Sequence, residues 1–378
     1  MKIYYIANFR MPTEKAHGIQ IAKMCEAFIE EGVDLTLVVP NRRNNKKSLK
    51  DYYNLRVEVN AKYLPVIDLY IYGRLGYLIS TFTFSLSYIF FLLKKKICGE
   101  KFIIYTVDAD NYSLSSIGLI LLNVPIFSEM HTSKLRSIPQ SILFKKIYGI
   151  IAINKIIVEE LKSNFPKSKV KYIVESNGVD LSDFGEKFNK EESREKLGIP
   201  QNIPIVLYSG RFFEWKGLEI LAKSAKETPS IRWQSVGGAK EDFSRLVKEP
   251  LSDNIFFAGN RPFSEMPLWI SASDILIVLG TKRDIQSYRY TSPMKLFEYL
   301  AGGRIIVASK TPAILEIVND KEVLFYEPDN SEDLVRVINL ALEQKDKLKS
   351  LIEESKKHAV KVSWGARAGR IIEFIFKP

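Results

Sequence analysis

Arg211 and Lys216 stand in the run Tyr208-Ser-Gly-Arg-Phe-Phe-Glu-Trp-Lys-Gly217. A buried strand from Pro204 to Ser209 is expected to run into a glycine turn at Gly210. A guanidinium follows at once, and an ammonium follows where a helix begins. Open α/β sheets bind ligands at the carboxyl ends of their strands, and a helix N-terminus adds unpaired N–H groups. Two cations at such an edge suit a dianion, and a diphosphate is the ligand this pair would grip.

A second run, Tyr290-Thr-Ser-Pro-Met-Lys-Leu-Phe-Glu-Tyr-Leu-Ala-Gly-Gly303, extends the same chemistry. Ser292 suits an N-cap and Pro293 the first helical position, so a helix is expected over Pro293–Leu300. Met294 and Lys295 fall in its first turn, where a cation opposes the helix dipole. An anion bound there would explain the lysine. Glu298 faces back toward the same end, where a carboxylate can accept hydrogen bonds from vicinal ribose hydroxyls. The plainer reading of this run is a capped surface helix with a stray Lys and Glu.

The elements that must position these groups alternate along the chain. In the first half, strands are expected at Lys2–Ala7, Asp34–Val39, Phe102–Thr106, Pro125–Glu129, Gly149–Ile153 and Lys171–Val174. Helices fall between several of them, such as Ile19–Glu31, which stops at Gly32. In the second half, strands are expected at Ile205–Ser209, Ile231–Val236, Asn254–Ala258, Ile275–Leu279, Arg304–Ala308 and Val323–Tyr326, with helices such as Ser331–Leu342 between them. This is the α/β, doubly wound signature stated twice. The polar stretch from Asn177 to Pro204 reads as a linker with one short helix. Two Rossmann-like domains facing each other across a cleft are the expected architecture, a natural arrangement for a two-substrate reaction.

Bulk composition agrees. The chain has 378 residues, enough for two full cores, and 46% apolar residues, which excludes a disordered chain. The net charge of +11 points to an anionic partner: nucleotide, membrane surface or nucleic acid. Nucleic acid is the least attractive, because no recognition module accompanies the charge. Cys25 and Cys98 have neither metal-ligand spacing nor a disulfide framework, so both are expected buried and reduced, in a cytoplasmic setting. Leu75–Leu93 carries no charge and is followed by Lys94-Lys95-Lys96. Its large residues, Leu75, Ile79, Phe82, Leu86, Ile89 and Leu93, form one helical stripe, with most hydroxyls opposite. A core or groove-lining helix is expected, ahead of a peripheral membrane contact and a true span. The clusters Arg42-Arg43-Asn-Asn-Lys46-Lys47 and Lys94–Lys96 read as solvated loops, or as a patch for anionic lipid headgroups.

Four runs together are similar to a known family: Gly210-Arg211 with Lys216-Gly217, Ser292-Pro-Met-Lys-Leu-Phe-Glu298-Tyr-Leu-Ala, Glu175-Ser-Asn177-Gly178-Val-Asp180, and Lys15-Ala-His17-Gly18-Ile-Gln. The chain resembles a family-four retaining glycosyltransferase of GT-B fold over nearly its whole length. The resemblance implies that Arg211 and Lys216 hold the donor diphosphate and Glu298 the nucleotide ribose. It implies that His131, in Ser128-Glu-Met-His131-Thr, touches the transferred sugar. It implies an acceptor-binding domain over residues 1–178 and a nucleotide-sugar domain over 179–363. The final helix, Trp364–Phe376, would cross back to the first domain.

The remaining site residues follow. Gly18, in the first helical turn, would let a phosphate or a sugar hydroxyl approach the backbone. Gly210, Gly237 and Gly238 would offer bare backbone to the nucleotide, and Arg261 would meet the base. His17, Glu129 and Asn177 are placed on the acceptor side, where the long Phe9–His17 loop would border the acceptor. No cofactor or metal is expected beyond the nucleotide-sugar co-substrate. Asp108-Ala-Asp110 is a short, weak motif for a metal site; cleft lining or a helix cap before Asn111–Leu122 is the better reading. The expected partners are a nucleotide-diphosphate sugar, a glycan or lipid-linked acceptor and an anionic membrane surface, in polysaccharide or glycolipid assembly. Many members carry a further glutamate where this chain has Tyr290. Three alternatives stay open: a nucleotide-sugar epimerase of the same fold, a non-catalytic nucleotide-sugar-binding protein, and a basic nucleic-acid-binding protein.

Overall fold

The computed structural model describes residues 2–42, 48–108, 116–185 and 188–376. The chain divides into two compact units, residues 1–176 with 364–378, and residues 177–363.

The first unit is built on strands β1 (Lys2–Ile6), β2 (Leu35–Pro40), β3 (Ala61–Leu64), β4 (Phe102–Asp108), β5 (Ile126–Met130), β6 (Gly149–Ala152) and β7 (Lys171–Val174). They form one sheet in the order β3-β2-β1-β4-β5-β6-β7, with every pair parallel. The order reverses between β1 and β4, so their carboxyl ends flank the crevice where such sheets bind ligands. β3 was not anticipated: it is a four-residue edge strand with Leu64 buried, Lys62 exposed and the other two half-buried, and no apolar run announces it.

The second unit carries β8 (Ile205–Ser209), β9 (Arg232–Val236), β10 (Ile255–Phe257), β11 (Ile275–Val278), β12 (Ile305–Ser309) and β13 (Leu324–Tyr326), ordered β10-β9-β8-β11-β12-β13 and again all parallel. β8, β11 and β12 are buried throughout, which is why they read as nearly unbroken apolar runs. Alternation divides them between two cores. Ile205, Leu207, Leu276, Val278 and Ile306 pack on helices Met266–Ala272 and Met294–Ala301. Val206, Tyr208, Ile275, Ile277 and Ile305 pack on helices Leu218–Glu227, Lys240–Val247 and Ser331–Glu343.

Three expectations need correction. The stretch from Asn177 to Pro204 is not a linker. It holds two helices, Leu181–Phe184 and Lys190–Leu197. Arg194, almost fully buried, reaches Asp274 Oδ2 at 2.7 Å and the Ala272 carbonyl at 2.8 Å, anchoring the second helix to the sheet unit. Cys98 is exposed at a helix end, while Cys25 is buried as expected. Helix Gly73–Ile97 has the opposite orientation from the one expected. Ser80, Thr81 and Ser85 are buried, whereas Leu75 and Phe82 are 70% and 63% exposed. Partners for the hydroxyls decide this: Asn8 Nδ2 donates to Thr81 Oγ1 at 3.1 Å and the Leu69 N–H to Ser80 Oγ at 2.9 Å. The expected helix over Asn111–Leu122 is described only in part, as a 3-10 helix at Ile117–Leu122. Arg43, Lys46, Lys47, Asp110 and Asn111 lie outside the described residues.

Helix Trp364–Phe376 belongs to the first unit, as expected for a helix that crosses back. Its buried residues Trp364, Arg367, Ala368, Ile371 and Ile375 form one helical stripe.

Candidate functional site

In the second unit the site grows from the end of β8. Gly210 takes φ +114° and Gly237, after β9, φ +122°. A Cβ on Gly237 would lie 2.7 Å from the Gly210 carbonyl carbon, so the two strand ends touch through bare backbone. Gly237→Ala is therefore expected to destabilise the protein by well over ~1 kcal/mol, and by more than Gly259→Ala. Gly259 has a positive φ (+73°) but no atom within 4 Å of its Cβ position, so comparing urea midpoints isolates the backbone contact.

Over this turn two ammonium groups converge. Lys216 Nζ and Lys295 Nζ each lie 3.6 Å from the point that a Gly210 Cβ would occupy. Lys216 Nζ donates to the Arg211 carbonyl at 2.9 Å. Lys295 Nζ sits 3.6 Å from the Tyr208 ring centroid. Neither ammonium has a carboxylate within ion-pair distance among the described residues. Burial, then the charge of Arg211, pulls Lys216 down to about 8. Burial, then Lys216, pulls Lys295 well below the ordinary lysine range, with Glu298 opposing. Two partly desolvated cations that repel each other, beside an exposed guanidinium, make a local environment that would favour an anion.

The backbone of helix Met294–Ala301 is aimed here by Tyr299. The Ser209 N–H donates to Tyr299 Oη at 2.9 Å, and that hydroxyl donates to Ser209 Oγ at 2.9 Å. One end of the helix is thereby tied to the end of β8. Sequence reasoning missed Tyr299 and Ser209, because a buried tyrosine on a helix reads as core. Glu298 is buried on the same helix, and burial pushes it up to about 7, with Lys295 opposing.

Ser292 is not the N-cap. Pro293 occupies that position, no side chain caps the helix, and Met294 is its first residue. Ser292 instead accepts from Asn177: Oγ from the backbone N–H at 3.3 Å and the carbonyl from Nδ2 at 2.7 Å. Asn177, expected on the acceptor side, is buried and holds the entry to this helix. Gly238 does not offer bare backbone, since the Phe212 ring fills the space its side chain would take. Arg211, Phe213, Gly238, Arg245 and Asn260 line a cavity of about 490 Å³. Arg261 is outside that lining; its Nε donates to the Ala258 carbonyl at 2.9 Å.

The first unit presents a second cluster. His131 follows β5, and its Nε2 lies 2.9 Å from Glu129 Oε1. Glu129 is fully buried, so it faces no acceptor and instead orients the imidazole. It accepts from Gln20 Nε2 at 2.7 Å and from the Tyr105 hydroxyl, and pairs with Arg367 Nη2 at 2.9 Å. Burial, the largest single effect, favours its neutral form. Arg367, His131 and Tyr105 outweigh that and hold it at about 2. Helix Ala16–Glu30 starts before Gly18, so His17 and Gly18 both lie in its first turn. Gln20 extends from the same helix to Glu129. His17 is partly exposed, with its ring 4.2 Å from that of Phe9. Gly18 is buried against Thr13 and Tyr53, where a Cβ would come within 2.5 Å of the Tyr53 hydroxyl. Its missing side chain makes room for that loop, not for a phosphate.

Residues 189–358 match the family model described as glycosyl transferases group 1. The match covers most of the second unit, and the two parallel sheets have the GT-B fold. The lipopolysaccharide 1,2-N-acetylglucosaminetransferase of Salmonella typhimurium is 28% identical over 203 residues, covering 49% of this chain and 51% of that protein. Sucrose-phosphate synthase of Thermosynechococcus elongatus superposes with a TM-score of 0.78 at 16% identity, over 99% of this chain and 98% of the other. The Anabaena protein HepE, solved in complex with UDP and glucose, gives a TM-score of 0.71 at 16% identity, over 99% of each chain. The chain spans about half the length of the curated relatives it matches.

Proposed function

We propose that this protein is a retaining glycosyltransferase. It moves a sugar from a nucleotide-diphosphate sugar to a hydroxyl of a glycan or lipid-linked acceptor, in the cytoplasm and without a metal ion. The observation that carries this reading is the convergence of Lys216 and Lys295 on Gly210 with no carboxylate partner among the described residues. As the bond between the anomeric carbon and the phosphate oxygen breaks, negative charge grows on the diphosphate. Arg211, Lys216 and Lys295 meet that charge without rearranging, and such preorganised charge is usually the largest catalytic contribution. Glu298 binds the nucleoside. His131, oriented by Glu129, touches the transferred sugar, and His17 lies on the acceptor side. The family resemblance supports a same-face attack. The acceptor oxygen bonds to the anomeric carbon as the donor bond breaks, and its proton passes to the leaving phosphate.

Calorimetry with UDP, GDP and ADP, each with magnesium or with chelator, tests the donor site. One nucleotide is expected to bind without metal and to lose binding in Arg211→Ala. A requirement for magnesium would overturn the metal-free reading, and no binding at all would overturn the donor site. Proton NMR of the first-formed product tests stereochemistry: an inverted anomeric centre rules out retention.

A further inference from the structure

Helix Gly73–Ile97 turns an apolar stripe to solvent. Leu75, Leu78, Phe82, Leu86 and Phe90 recur at helical spacing and are 70%, 41%, 63%, 40% and 70% exposed. The stripe extends over about 22 Å at 1.5 Å per residue. Ile67, Ile71 and Tyr72, just before the helix, are exposed as well. Monomeric soluble proteins rarely leave so long an apolar face uncovered. The opposite face carries Ser80, Thr81, Ser85, Phe84, Tyr88 and Leu92, all buried in the first unit.

Charge selects the occupant. Ile67–Ile97 contains four basic residues, Arg74, Lys94, Lys95 and Lys96, and one acidic residue, Asp68, which pairs with the Arg42 guanidinium at 3.8 Å. Lys95 pairs with Glu100, and Lys96 Nζ donates to the Leu122 carbonyl. Arg74 and Lys94 are exposed at the two ends of the stripe. An antiparallel contact with a second copy would set Arg74 of one chain against Lys94 of the other, a repulsive pairing. A bilayer with anionic headgroups receives the apolar residues and neutralises both ends.

We infer that this helix lies in the plane of an anionic membrane, with the Leu75–Phe90 stripe in the headgroup–acyl boundary and Arg74 and Lys94 at the lipid phosphates. It does not span: a spanning helix would turn the hydrogen-bonded hydroxyls of Ser80, Thr81 and Ser85 into hydrocarbon. This inference does not rest on the proposed transferase activity, since none of these residues belongs to the sites described above.

Vesicle flotation tests it. The full chain is expected to float with phosphatidylcholine vesicles containing phosphatidylglycerol, and not with phosphatidylcholine alone. Phe82→Ser with Phe90→Ser should lower binding at least about tenfold, and Lys94→Glu several-fold, more so at low salt. All three changed residues are exposed, and unchanged thermal unfolding checks that each variant folds. Failure of the wild type to float would overturn the inference, as would binding indifferent to these substitutions. A concentration-dependent dimer in sedimentation, abolished by Phe82→Ser with Phe90→Ser and unaccompanied by flotation, would replace the membrane with a second copy. Nucleotide binding measured on the same variants keeps this outcome separate from the fate of the donor site.

Discussion

Replacing Lys295 by alanine is expected to lower transfer efficiency, read as kcat/KM, by about two to three orders of magnitude. The reason is local. Lys295 Nζ and Lys216 Nζ face one point above Gly210, and neither is neutralised by a carboxylate within ion-pair distance among the described residues. In the proposed donor site, a developing diphosphate charge would meet cations already in place. The same feature predicts a proton signature. Lys216 is held at about 8 by burial and by the charge of Arg211, and Lys295 is held well below the ordinary lysine range by burial and by Lys216. A bound dianion favours the charged forms and raises both values. Binding near pH 8 is therefore expected to take protons up from solution, and affinity to weaken as pH rises through about 8. Calorimetry in buffers of different ionisation enthalpy reads the uptake directly. Heat that does not vary with the buffer would remove these lysines from the diphosphate site. Glu298, at about 7, works in the other direction. Its ionised form is the better acceptor for ribose hydroxyls, and Glu298→Gln should flatten the acid side of the profile.

Arg367→Met should cost about 3–5 kcal/mol of folding stability, measured by urea unfolding, because it leaves a buried carboxylate without its cation. Glu129 is fully buried, and Arg367 is the strongest of the influences that keep it ionised. Adding Glu129→Gln to Arg367→Met should restore part of the loss, because the stranded charge is then gone. The pH dependence carries the sign. In the wild type the depressed value means that this group's contribution is complete above the unfolded carboxylate value, about 4.3. It is lost as pH falls through about 2. Without Arg367, burial dominates and the folded value rises above the unfolded one. Stability is then present at low pH and lost as pH rises. The slope of stability against pH between about 4 and 7 should therefore differ between the two proteins. Equal slopes would mean that Arg367 does not set the charge on Glu129.

The parallel strands were legible because they are buried on both faces, and burial on both faces makes an unbroken apolar run. The cationic turn was legible because Gly210, Arg211 and Lys216 are close in sequence. Lys295 and Glu298 are close on one helix for the same reason. The edge strand Ala61–Leu64 was not legible, since four residues with only Leu64 fully buried make neither an apolar run nor a full alternation.

Sequence periodicity alone determined which residues of Gly73–Ile97 share a face, but not which face turns inward. Tertiary partners decided that, when Asn8 and the Leu69 N–H met the hydroxyls of Thr81 and Ser80. Contacts within each unit belong to the same class. The Glu129–Arg367 pair, the Asn177–Ser292 clasp and the Tyr299–Ser209 link join residues far apart along the chain. Backbone geometry makes side-chain periods visible over a few turns or a few strand residues. The partner that satisfies a buried polar group is chosen by the folded chain, and no local pattern carries it.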